Sequence, residues 1–112
     1  MIRVIETDLR TLISIAEIER IDKSNVSEFG KMIKGHIKEN AEIIINFNKV
    51  FYIDTEGFKM LLSIKRGLEK HGGRLKLMQL SGNLSDLFKL MGLSEKFEWV
   101  SSEQLTDPAF AS

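Results

Sequence analysis

The sequence contains no cysteine. Disulfides, thiolate nucleophiles and cysteine-ligated zinc are excluded together. Neither charge sign is in excess, since sixteen Lys and Arg offset sixteen Asp and Glu. Without a global field, neither nucleic acid nor an anionic membrane is drawn to the molecule as a whole, and charged recognition must be local. Apolar runs are only a few residues long, far short of the roughly 20 that cross a bilayer. The start, "MIRVIETDLR", lacks the basic-then-apolar layout of a signal peptide. A soluble cytoplasmic protein with no membrane insertion is expected. The triplets Asn25-Val26-Ser27 and Asn83-Leu84-Ser85 then carry no meaning as glycosylation sites. There is no P-loop, no Gly-x-Gly-x-x-Gly, no nucleophile–base pair and no metal-ligand pattern, so neither an enzyme nor a cofactor is expected. His36 and His71, the only histidines, read as structural, His36 on a polar helical face and His71 near a helix end. "KRGLEKHGGRLK" is locally basic, but Glu69 interrupts it and no aromatics interleave, so it reads as a solvated face.

What is present fits one domain of 112 residues. "IRVIET" and "TLISIAEI" are β-rich stretches that form a hairpin or adjacent strands. Asp22-Lys23-Ser24-Asn25 interrupts them, with Ser24 the expected N-cap of a first helix. Val26, Phe29, Ile33 and Ile37 lie on one stripe of that helix, and Asn40 closes it. "EIIINF" has the length and composition of a strand buried on both faces. A second helix runs to about Lys70 and ends at His71-Gly72-Gly73. "RLKLMQL" is a strand. Leu80, Leu84, Leu87, Phe88 and Met91 form a third helical stripe, closed by Gly92. "KFEWV" is a last short strand. Met60, Met78, Met91 and Trp99 are expected in the core, whereas Phe51 and Tyr52 suit either the core or the edge of a partner groove. Residues 101–112, with the only proline, Pro108, form a short helix or tail. Strands alternating with helices imply an α/β fold, a mixed sheet with parallel pairs and right-handed crossovers covered by helices.

Between strand and second helix stands "FYIDTEGFKMLL", with Asp54, Thr55, Glu56 and Gly57 at the junction. One reading is purely structural: Asp54 or Thr55 caps the helix, Glu56 favours its dipole, and Gly57 lets the backbone turn. The other is functional. Loops at the carboxyl ends of strands form the usual binding edge of an α/β sheet, and a hydroxyl at a helix start is well placed for phosphorylation.

"IIINFNKVFYIDTEGFKMLL" resembles the core motif of STAS domains, the fold of sulfate transporters and anti-sigma factor antagonists, in which an apolar strand leads to Asp-Ser/Thr-Ser/Thr-Gly and an apolar helix. "EIERIDKSNVSEF" is similar to the family's strand ending in Asp before the first helix. "EKHGGRLKLMQLSGNLSDLFKLMGLSEKF" resembles its later helix, glycine turn, strand and helix. The resemblance covers roughly residues 2–100 in order. It implies a single small STAS-like domain and a regulatory protein-binding module, not an enzyme. The implied partner is an anti-sigma factor, often a serine kinase, with a phosphatase opposing it. The resemblance matches Asp54, Thr55 and Gly57 to the motif, and Asp22, beside Ser24 and Asn25, to the family's other contact loop. The second hydroxyl, the usual phosphoacceptor, is replaced by Glu56. Glu56 then mimics the phosphorylated state in part, and Thr55 is the substitute acceptor. The alternative implied by the same fold is a stand-alone STAS subunit docked on the ATPase of an ABC-type membrane transport assembly.

Overall fold

Thr7, Asp8 and Leu9 turn the chain between its first two strands, β1 (Ile2–Glu6) and β2 (Arg10–Ile15), which pair antiparallel as a hairpin. The remaining elements are β3 (Arg20–Ile21), α1 (Val26–Lys34), β4 (Glu42–Asn46), β5 (Tyr52–Ile53), α2 (Thr55–Lys70), β6 (Arg74–Met78), α3 (Gly82–Leu90) and β7 (Glu98–Trp99). This computed structural model describes residues 2–101, 104 and 105. The main sheet has the order β1-β2-β4-β6-β7, parallel throughout except for the opening hairpin. β3 and β5 form a separate parallel pair, with Arg20 opposite Tyr52 and Ile21 opposite Ile53. The mixed α/β fold expected from the sequence is thus present, although these two-residue strands were too short for periodicity to mark as a sheet of their own.

β4 is central, and its three isoleucines are fully buried. Because successive side chains point to opposite faces, Ile43 and Ile45 join the large core beneath the helices, with Ile13, Leu61, Ile64 and Leu77. Ile44 joins Leu12 and Met78 on the other face, where Ile5, Val100 and Leu105 pack against it.

α1 differs from the sequence expectation at both ends. Asn25, not Ser24, occupies the N-cap, and no side chain caps the helix. The reason is local: the Ser24 hydroxyl is taken by the Asp22 carboxylate, while Asn25 bonds the Asp22 N–H and the Arg20 carbonyl. The helix ends at Lys34 rather than Asn40, leaving through turns in which His36 N–H and Ile37 N–H reach back to Ile33 and Lys34. Asn40 does adopt a left-handed backbone, φ 59°, but it serves the entry to β4, and its N–H bonds the His71 carbonyl.

The second and third helices follow the sequence closely. α2 ends at Lys70, with Gly72 left-handed beyond it. α3 is capped by Ser81, whose hydroxyl accepts from Leu84 N–H at 3.1 Å, and Gly92 is left-handed at φ 69°. Met60 and Met78 are buried as expected. Met91 and Trp99 are not, at 45% and 40% exposed. Met91 follows the last helical residue, and Trp99 lies on a two-residue edge strand, where its ring meets Phe88 in a T-shaped contact and Nε1 donates to the Ser94 carbonyl. The expectation for the tail, residues 101–112 with Pro108, lies outside the described residues except at 101, 104 and 105.

Candidate functional site

The helix start at residues 54–57 is set by two residues. Asp54 is the N-cap, its backbone extended and its Oδ1 accepting from Gly57 N–H at 2.9 Å. This satisfies one of the amides a helix start leaves unpaired. Gly57 is buried against the β3–β5 pair, where a Cβ would overlap Ile53 Cγ2 and lie 3.3 Å from the Ile21 carbonyl oxygen. Only glycine allows this approach. Between them, Thr55 and Glu56 occupy the first helical positions and are exposed. Glu56 meets Lys59, one turn on, at 3.5 Å.

The Asp22–Asn25 loop, thirty residues away in sequence, lies beside this helix start. Parallel pairing of β3 with β5 brings the two strand ends level, with Asp54 N–H bonded to the Ile21 carbonyl at 3.1 Å. Asp54 also joins the loops directly, since its Oδ2 accepts from Lys23 N–H at 3.1 Å. One carboxylate therefore caps α2 with one oxygen and holds the neighbouring loop with the other. Asp22 organises its own loop by accepting from both the Ser24 hydroxyl and the Ser24 N–H. The Ser24 hydroxyl bond, then its backbone N–H, lower the pKa of Asp22, against a small opposing effect of desolvation, with Arg20 and Lys23 adding to it. Asp22, Ser24, Asn25, Asp54, Thr55, Glu56 and Gly57 thus share one edge of the molecule.

Two participants were not foreseen. Lys23 contributes through its backbone N–H, which no side-chain pattern signals. The Arg20 guanidinium lies 4.4 Å from the centre of the Tyr52 ring and 3.8 Å from the Asp22 carboxylate. That contact makes Tyr52 a half-buried wall of this edge, with Phe51 exposed next to it. The histidines lie apart from it, His36 bonded to Glu6 at 2.7 Å and His71 to Glu39 at 2.6 Å. Among the described residues, no three His, Asp or Glu side chains are grouped to hold a metal ion, and no helix is long and apolar enough to cross a membrane.

The family model of the STAS domain matches residues 5–105. The chain belongs to the STAS-domain family. No curated protein matches the sequence. Among solved structures, this STAS domain is similar to an anti-sigma-factor antagonist (STAS) domain protein from Planctomyces limnophilus, with a TM-score of 0.82 and 18% identity over 99% of this chain and 98% of the other. It is similar to the anti-sigma factor antagonist SpoIIAA in its unphosphorylated form, with a TM-score of 0.74 and 22% identity over 93% of this chain and 91% of the other. It is also similar to an anti-sigma factor antagonist from Mycobacterium paratuberculosis, with a TM-score of 0.73 and 19% identity over 97% and 89%. At these identities the likeness concerns the fold. In this STAS domain exposed polar groups surround a capped helix start.

Proposed function

We propose that this STAS domain is a regulatory protein-binding module of the anti-sigma factor antagonist kind, acting without catalysis. Its contact edge is the pair of loops Asp22–Asn25 and Asp54–Gly57. The observation that carries the reading is the double role of Asp54, which ties Lys23 N–H and Gly57 N–H into one preorganised surface. A surface held rigid before binding loses little freedom on docking.

Glu56 occupies the position where the resemblance expects the phosphoacceptor. It is exposed and carries one permanent charge, against roughly −1.5 to −2 for a phosphate. The domain is therefore held part-way to a phosphorylated state, and its affinity for a serine-kinase-like anti-sigma factor is reduced. Thr55 is the hydroxyl left on the helix start for such a kinase, and a phosphatase enters only if Thr55 is modified. The solved structures bearing the name anti-sigma factor antagonist support this partner class.

The test compares wild type with Glu56→Ser as bait in an extract of the host cell, with retained proteins identified by mass spectrometry. A kinase-like anti-sigma factor held at least tenfold better by the serine form is the expected result. Equal retention by both forms would sink the idea that Glu56 holds the domain off its partner. Recovery of a membrane ATPase instead would favour the transport-subunit reading. Mapping phosphorylation after incubation with the recovered kinase checks Thr55.

A further inference from the structure

The chain is neutral overall, but its charges are not evenly spread. α1 packs along α2, and the furrow between them is bordered by cations from both helices. Lys31 and Lys34 stand on the α1 side, and Lys59, Arg66 and Lys70 on the α2 side. Residues 59, 66 and 70, with Ser63 between them, follow a three-and-four spacing that keeps them on one face of the helix. Lys34 borders both parts of the furrow. Among the described residues that line it the one acid is Glu56, at one end and already facing Lys59, while His71 at the other end is bonded to Glu39. Lys31, Lys34, Arg66 and Lys70 form no ion pair with any described residue.

The floor is apolar and low. Gly30 on α1 faces Met60 on α2, and Gly67 on α2 faces Ile37, where even a Cβ would come within 3.2 Å of Ile37 Cδ1. Met60 and Ile37 fill the space beside the two glycines, so the floor is closely packed between its charged borders. From Lys59 to Lys70 the cationic border runs about 16 Å along α2, the length of a three-turn helix.

We infer that this furrow is a second interaction surface, separate from the loop edge, and that it takes an acidic amphipathic helix of a partner protein. Its carboxylates meet the cations on either side and its apolar face covers the half-buried Val26 and Ile37, the arrangement of a helix-in-groove contact with complementary charge. A membrane fits less well. The exposed large apolar residues, such as Leu90 and Trp99, lie elsewhere, so this face has nothing to insert among lipids. Duplex nucleic acid is wider than a furrow between helices packed roughly 8–10 Å apart, and among the described residues no Phe, Tyr or Trp borders it for stacking single-stranded bases, while the His71 ring is held by Glu39.

The experiment is an NMR titration of the 15N-labelled protein with an acidic helical peptide of about twenty residues, Leu on one face and Glu on the other. Amides of α1 and α2 around Gly30 and Gly67 should shift. Lys31→Glu with Lys34→Glu, and separately Arg66→Glu with Lys70→Glu, should each weaken binding at least tenfold. A charge-matched control on α3 and the following loop, Lys89→Glu with Lys96→Glu, should leave it within twofold. No shift in α1 or α2 at saturating peptide and low salt overturns the inference. So does equal weakening by the Lys89/Lys96 control, which would reduce the effect to net charge. Tighter, Lys31/Lys34-dependent binding of phosphatidylserine vesicles or of duplex DNA would overturn the assignment to a protein partner.

Discussion

A methyl group at Gly57 would overlap Ile53 Cγ2, a side chain that is itself buried and branched at Cβ. Such stiff neighbours yield by shifting backbone rather than by turning a rotamer. Alanine is normally the better helix former by about 1 kcal/mol, yet here the overlap should dominate. Gly57→Ala is expected to destabilise the domain by about 2 kcal/mol, within the usual cost of overpacking, measured by urea unfolding. A stabilised variant would show that the β3–β5 pair gives way freely. At this scale the sequence was partly legible. An Asp before a helical pattern is a cap signal, and Asp54 is the cap. Its bond to Lys23 N–H was hidden, because a backbone donor has no residue-type signature. Ser24 was misread for a related reason: a hydroxyl that suits a cap also suits a nearby carboxylate, and Asp22 lies two residues away.

α3 is joined to the rest of the core by one side chain above others. Phe88 is fully buried, and it meets Phe58, Trp99, Phe97 and Phe47 edge-on, with ring centres 4.9, 5.2, 5.7 and 6.4 Å away. Phe88→Ala should cost about 3–5 kcal/mol through lost burial and the cavity left behind, seen as a lower urea midpoint. A loss below about 1 kcal/mol would mean that α3 collapses onto the sheet without it. The helical stripe pointed to Leu84 and Phe88 correctly because each recurs at helix spacing. It over-ran at Met91 because periodicity does not say where a helix stops, and here the left-handed Gly92 ends it. The strands β3 and β5 are too short, at two residues each, to show a period: the family resemblance points to a strand before Asp22 and the apolar stretch to one before Asp54, but their pairing with each other has no signal in the sequence. Yet they position the candidate site.

Across the whole molecule, the three inner strands of the sheet are tied by charge as well as by backbone. Glu42 on the central strand bonds Arg10 on β2 at 2.8 Å and Lys76 on β6 at 3.1 Å, and its side chain is 17% exposed. Burial pushes its pKa up, but the bonds from Lys76 and Arg10 outweigh this and hold it below the ordinary value. A carboxylate lowered by folding stabilises the fold fully above its unfolded value, about 4.3, and loses that contribution as pH falls through the lower folded value. Wild type should therefore exceed Glu42→Gln by roughly 1 kcal/mol at neutral pH, with the gap closing below about pH 4. A gap unchanged at pH 3 would show that packing, not charge, is its source. Read alone, the residues dictate the order of the longer strands and the helices, the buried isoleucines of β4 and the cap at Asp54, because each rests on interactions within a few positions along the chain. They also exclude thiol chemistry outright. Tertiary structure decided what stands beside what. It set the Asp22 loop against the Asp54 helix start through parallel pairing of two-residue strands, and it summed the lysines of α1 with the cations of α2 on one face of a neutral chain. Both depend on contacts between segments some thirty residues apart, where the pairing partner, not the local pattern, determines the geometry.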